Sequence, residues 1–267
     1  MKESLKLVCL VKMVPDMEHF TYDYEKNILV REHAKSVLNP ADACALAAAL
    51  KLKKSCGAEV AVISMGPGSV SKYLEDLIRR GADEAVLITD SMYRGSDTYA
   101  TARILARTIE RCGYDIIFAG THSMDGDTAH IPCQTAELLG VNVMSNVRKV
   151  REDKLSDTHI QVEVAADGQN VELEMRWPAV LAVSSESKYK LPFVRYEDLN
   201  KDVSDHITVI TNSELEFRED EAGLSGSKTK VIKTYPKKYA ARQKVIVGND
   251  DDGIEYVYQF LKEKGYV

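Results

Sequence analysis

The chain has 267 residues, 45% of them apolar and 28% charged, with a formal net charge of −6. That is enough for one large globular domain, or one domain plus an appendage. The acidic balance argues against a nucleic-acid surface, and no apolar run approaches the roughly 18 residues of a membrane span, so no membrane insertion is expected. The five cysteines, Cys9, Cys44, Cys56, Cys112 and Cys133, stand far apart without a CxxC pair. They read as reduced cytosolic thiols, outside the usual zinc and iron–sulfur spacings.

Met1 leads almost directly into an apolar run, residues 5–11, so a cytoplasmic chain without a signal peptide is expected. That run, broken only by Lys6, reads as a strand buried on both faces of a parallel sheet. Pro15 ends it. Residues 21–24 and 28–31 flank Glu25, Lys26 and Asn27 as a hairpin, with Asn27 suited to positive φ. Asn39-Pro40-Ala41-Asp42 opens an Ala/Leu-rich helix to about Cys56, with Asn39 as N-cap and Pro40 as first helical residue. A strand over 59–64 follows, then a helix from a Ser69 cap to Arg80. A strand over 84–89 leads to a helix capped by Ser96 or Asp97 and ending near Cys112. The run 114–119 is the next strand, and 129–139 a helix that stops at Gly140. This alternation predicts an α/β fold, a parallel sheet with helices on both faces, Rossmann-like and nucleotide-binding. Ligands of such sheets sit beyond the carboxyl ends of the strands, near the switch in strand order.

After Val141 the texture changes. Residues 141–150, 158–165, 171–175 and 180–183 read as β-strands with charged turns, a β-rich edge of the same domain. Residues 185–205 are polar and irregular, 214–226 acidic then Gly-rich, 227–234 Lys-rich and β-prone, and 236–243 an extended linker. Asp250 or Asp251 begins a short terminal helix. The expected division is 1–184, a nucleotide-binding α/β domain, and 185–267, a C-terminal arm and helix packing on a partner subunit.

The stretch Gly120, Thr121, His122, Ser123, Met124, Asp125, Gly126, Asp127, Thr128, Ala129, His130 and Ile131 lies between a buried strand and a helix start. Helix N-termini carry unpartnered N–H groups and partial positive charge, which suits phosphate. Gly126 permits positive φ and close backbone approach. Ser123, Asp125, Asp127 and Thr128 can cap the helix or bond ribose and phosphate oxygens. The loop contains no Lys or Arg, so a phosphate there is held by amides and hydroxyls. An ordinary βα turn with caps alone is the competing reading. The cluster His122, Asp125, Asp127 and His130 matches neither an EF-hand nor a zinc motif. No Walker lysine loop, GxGxxG, GxSxG or HExxH is present. No acid–base pair stands out, which leaves any chemistry to a bound cofactor.

Three motifs together resemble the beta subunit of the electron transfer flavoproteins: Val11-Lys12-Met13-Val14-Pro15-Asp16, Asn39-Pro40-Ala41-Asp42, and Ser123-Met124-Asp125-Gly126-Asp127-Thr128-Ala129 before Gln134-Thr135-Ala136-Glu137-Leu138-Leu139-Gly140. Gly223-Leu224-Ser225-Gly226-Ser227-Lys228-Thr229-Lys230-Val231 resembles a further family element. The resemblance implies a heterodimer with an alpha subunit that carries an electron-transferring FAD. It implies a second nucleotide in this sheet: FAD in the bifurcating branch, AMP in the simple shuttle branch. The loop is similar to the bifurcating type, in which the second FAD takes electrons from NADH. One electron then passes through the alpha-subunit FAD to an acyl-CoA dehydrogenase-like acceptor and the other to ferredoxin or flavodoxin. Carried over residue by residue, Leu10 lies by the adenine or ribose, Asn39 to Asp42 and Met65 line the adenosine pocket, and Gly120 to Ile131 wrap the phosphates. Asp125 and Asp127 are expected to face ribose, backbone or water. The family's partner-recognition stretch corresponds here to residues 185–192. A shuttle with structural AMP, and a non-redox nucleotide-binding sensor of the same sheet type, are the alternatives.

Overall fold

The structure, a computed structural model, describes residues 4–16, 21–23, 28–30, 35–230, 232 and 244–267. Side chains in β1 (Lys6–Leu10) alternate, with Leu7 and Cys9 in one buried cluster and Val8 and Leu10 in the other. A strand apolar on both faces needs a helix layer on each. Short strands follow: β2 (Met13–Pro15), β3 (Thr21–Asp23), β4 (Ile28–Val30) and β5 (Ser36–Leu38). β3 pairs antiparallel with β4 as expected for a hairpin, whose turn lies outside the described residues. Then come α1 (Pro40–Cys56), β6 (Glu59–Met65), α2 (Ser71–Arg79), β7 (Glu84–Ile88), α3 (Thr98–Cys112), β8 (Ile116–Gly120) and α4 (Ile131–Leu139). After these stand β9 (Asn142–Arg151), β10 (His159–Ala166), β11 (Gln169–Arg176), β12 (Ala179–Val183), β13 (Ile207–Ile210) and the single turns α5 (Asn212–Leu215) and α6 (Gly223–Gly226).

Nine of the described strands form one sheet in the order β11-β10-β9-β12-β8-β1-β6-β7-β13, while β2 pairs with β5 and β3 with β4 in two small sheets. From β9 to β13 every neighbouring pair is parallel, while β10 and β11 are antiparallel. Leu46, Leu52, Leu74 and Leu77 of α1 and α2 pack on one face against Leu7, Val62 and Phe118. Ile104 and Ile109 of α3 and Ala136 of α4 pack on the other against Val8, Ile63 and Ile117. The chain steps outward from β1 to β6 and β7, then returns to the far side of β1 with β8. The switch in strand order therefore falls between β1 and β8.

Several expectations need correction. The run at 180–183 is not part of the β-rich edge: β12 is buried throughout and lies between β8 and β9. Its unbroken Ala/Val/Leu content already favours a doubly covered strand. Residues 185–230 are not a separate arm. The chain divides into two compact units, Met1–Val231 and Ile232–Val267, because β13 completes the sheet beside β7. The helix expected from a Ser69 cap begins instead with a 3-10 turn, Gly68–Val70, and no side chain caps α2. Residues 227–230 form no strand; the linker at 236–243 lies outside the described residues. Within the second unit α7 (Asp251–Glu263) starts from Asp250, whose carboxylate accepts from Gly253 N at 2.9 Å. Among the described residues no helix is long and apolar enough to cross a membrane.

Candidate functional site: the loop at the strand switch

Chains leaving β1 and β8 part at the switch point, and the start of α1 stands over the gap. Three side chains tie these segments together. Asp42, in the first turn of α1, is buried and accepts from Lys12 N at 2.8 Å and from Gly120 N at 3.1 Å. Asn39 is equally buried; its Nδ2 donates to His122 O at 2.8 Å and its Oδ1 accepts from Met124 N at 3.2 Å. Lys12 Nζ lies 2.8 Å from both carboxylate oxygens of Asp125. Asn39 is thus a latch and makes no side-chain cap to α1, contrary to expectation. Its amide is used instead to satisfy the backbone of a loop distant in sequence.

Burial raises the Asp42 carboxyl to about 7, against the opposing effect of the Asn39, Lys12 and Gly120 donors. Burial and the neighbouring Asp42 charge push the Cys9 thiol well up, so it is no nucleophile. At Asp125 burial alone would raise the carboxyl, but hydrogen bonds from Lys12 and Ser123 outweigh it and hold the group below its ordinary range.

From Met124 to His130 the loop is exposed. Its positive φ values fall on Asp127 (46°) and Ala129 (55°), not on Gly126. What Gly126 supplies is room: among the described residues an added Cβ would meet Ser123 Oγ alone, at 3.4 Å. α4 begins at Ile131 with no side-chain cap, so none of Ser123, Asp125, Asp127 and Thr128 caps it. Asp125 pairs with Lys12, and Asp127 lies 4.0 Å from His122 Nε2. His130 Nδ1 is 3.4 Å from Thr98 Oγ1 at the start of α3. Leu10 and the half-buried Met65 share the α3–α4 face at the ends of neighbouring strands. Ala41 sits under Gly120, and Pro40 is exposed. Two residues that the sequence did not mark for the loop, Lys12 and Thr98, contact it. Lys12 had a signal, because the first cation after a buried strand stands at the carboxyl end of the sheet.

Buried polar atoms without a partner among the described residues include Ser64 Oγ near the end of β6, and Gln134 Oε1 and Thr135 Oγ1 in the first turns of α4. The space at Gly126 leaves room for a ligand to approach the loop backbone. The opposite end of the sheet offers a cleft lined by Glu59, Asp83, Glu84 and Asp205, whose charge disfavours phosphate.

A largely parallel sheet covered by helices on both faces, with a pinned glycine-bearing loop at its switch point, defines the class as doubly wound α/β proteins. Residues 27–190 match the electron transfer flavoprotein domain. The chain is 33% identical to the electron transfer flavoprotein subunit beta of Thermoanaerobacterium thermosaccharolyticum, over 97% of this chain and 99% of that one. It is 36% identical to the same subunit of Clostridium acetobutylicum, over 98% and 100%. It is 35% identical to the caffeyl-CoA reductase-Etf complex subunit CarD of Acetobacterium woodii, over 86% of each. The chain belongs to the electron transfer flavoprotein family, on the side of its beta subunits, and its role is electron transfer.

Proposed function

We propose that this chain is the beta subunit of a cytoplasmic heterodimeric electron transfer flavoprotein that binds FAD at the β1–β8 switch. The pinning of the 121–130 loop by Asn39 and Lys12 beside the open space at Gly126 supports this reading most directly. The FAD, when bound, supplies electron storage and transfer; the chain binds and orients it. NADH is the donor. Electrons leave through the alpha-subunit FAD to an acyl-CoA dehydrogenase-like acceptor, with bifurcation to ferredoxin or flavodoxin. The likeness to CarD, named as part of a reductase–Etf complex, favours such coupling. In this reading the terminal unit, residues 232–267, packs on the alpha subunit. Its exposed Ile254, Tyr256, Val257, Tyr258 and Phe260 are suited to that contact.

The test is to co-purify the chain with its alpha subunit, denature the complex and count nucleotides. Two FAD and no AMP per heterodimer is the expected result. One FAD with one AMP assigns the AMP-bearing shuttle, and reduction by NADH then fails. A well-folded complex without nucleotide from this subunit would overturn the site.

Gly126→Leu should abolish FAD retention in this subunit while leaving thermal unfolding of the nucleotide-free protein almost unchanged, since a Cβ there meets Ser123 Oγ at an ordinary 3.4 Å. Normal flavin content in that variant would argue against the loop. Phe193 and Tyr196, 90% and 92% exposed just beyond the family's recognition stretch, are assigned to the acceptor. Phe193→Ala with Tyr196→Ala should slow transfer to the acceptor by roughly tenfold or more with reduction by NADH unchanged. Equal acceptor rates in stopped-flow traces would remove these side chains from that role.

A further inference from the structure

We propose that Lys12 is a charge-compensating residue of this site: it stays paired to Asp125 so that the loop accepts a phosphate-bearing ligand. This rests on the nucleotide reading above. The loop carries Asp125 and Asp127 and no cation of its own, and an anion approaching it meets both carboxylates. Lys12 Nζ lies 2.8 Å from both oxygens of Asp125 and reaches the loop from 113 residues away in sequence. The pair is half-open to solvent, with side-chain exposures of 48% and 31%. It therefore adds little to stability, and its contribution lies in the field at the loop.

That arrangement is fixed by backbone, not by the side chain. Lys12 N donates to Asp42, and Lys12 O accepts from Asn39 N at 2.9 Å. Any residue but proline at this position can make both bonds, so side-chain substitutions change charge without moving the strand end. Among the described residues Asp127 pairs with His122, at 4.0 Å, and it lies mostly in solvent, where water screens it. Asp125 is the more enclosed carboxylate and is held ionised by Lys12 and Ser123. Without Lys12 it would present an uncompensated charge to the ligand.

The experiment uses the full chain in its complex, freed of bound nucleotide, titrated calorimetrically with adenosine and with AMP. Lys12→Met should weaken AMP roughly tenfold, and less at high salt, while adenosine binds as in wild type. Lys12→Arg, which still pairs with a carboxylate, should behave as wild type. Lys12→Met with Asp125→Asn should restore AMP binding to within a few-fold of wild type. A double variant as weak as Lys12→Met would overturn the proposal, because Lys12 would then hold the phosphate directly. Equal losses for adenosine and AMP would also overturn it and leave Lys12 a shaping residue only. A wild-type complex that binds neither compound would overturn the nucleotide reading and this inference with it, whereas wild-type binding with unaltered variants would dismiss only the role of Lys12.

Discussion

Gly120→Ala should lower the unfolding midpoint of the chain by roughly 6–12 °C, corresponding to about 3 kcal/mol for a unit of this size. The residue ends β8 directly beneath the first turn of α1. An added Cβ would lie 2.3 Å from Asp42 Oδ1 and 2.7 Å from both the carbonyl carbon and the Cβ of Ala41. None of these neighbours is the free end of a flexible side chain. Asp42 is held by Lys12 N and by the amide of Gly120 itself, and Ala41 belongs to a buried helix start. Either β8 or α1 must shift, and β8 is locked in register between β1 and β12. The cleft at the switch would widen, so nucleotide retention should fall with stability. Thermal unfolding of the variant beside wild type checks the first effect, and nucleotide content after gel filtration the second. A midpoint within about 2 °C of wild type would mean that the two elements are not in true contact.

The alternating first part of the chain was legible because each element carried its own local signal. Continuous apolar runs mark β1, β6, β7 and β8, and α1 and α4 end at Gly57 and Gly140, both in the left-handed region with φ of 70° and 65°. β13 carried almost none. It is four residues long, two of them exposed, and exists because β7 leaves an edge to pair with. Pairing partners of that kind are set by tertiary context, not by the segment. The same limit applied to the site. The position of the loop followed from a strand, a glycine and a helix start. The roles of its residues did not, because the deciding bonds join Asn39 to His122 and Lys12 to Asp125, far apart in sequence. A capping motif and a loop latch both favour Asn, so residue type alone could not separate them.

Asp42 should make stability depend on pH in a direction opposite to that of most carboxylates. Its folded value is raised to about 7 from an ordinary 3.8, chiefly by burial. As pH rises above about 4 the unfolded chain loses this proton while the folded chain keeps it, so folding takes up a proton. Across that window the contribution of Asp42 falls by up to about 1.4 kcal/mol per pH unit, and it levels off once the folded group has also ionised, above pH 7. Other groups titrate as well, and Asp42→Asn separates them. Asparagine resembles the neutral acid in shape, keeps one acceptor oxygen and cannot ionise. The stability of wild type minus that of Asp42→Asn, measured by urea unfolding at several pH values, should therefore decline from pH 4 to pH 7 and flatten beyond. The groups facing the carboxyl are Lys12, Cys9, Asn39 and the Gly120 amide. If the two amides and Lys12 kept Asp42 ionised at all these pH values, the difference would stay flat. The buried carboxylate would then be a permanent anion whose two backbone hydrogen bonds outweigh its desolvation.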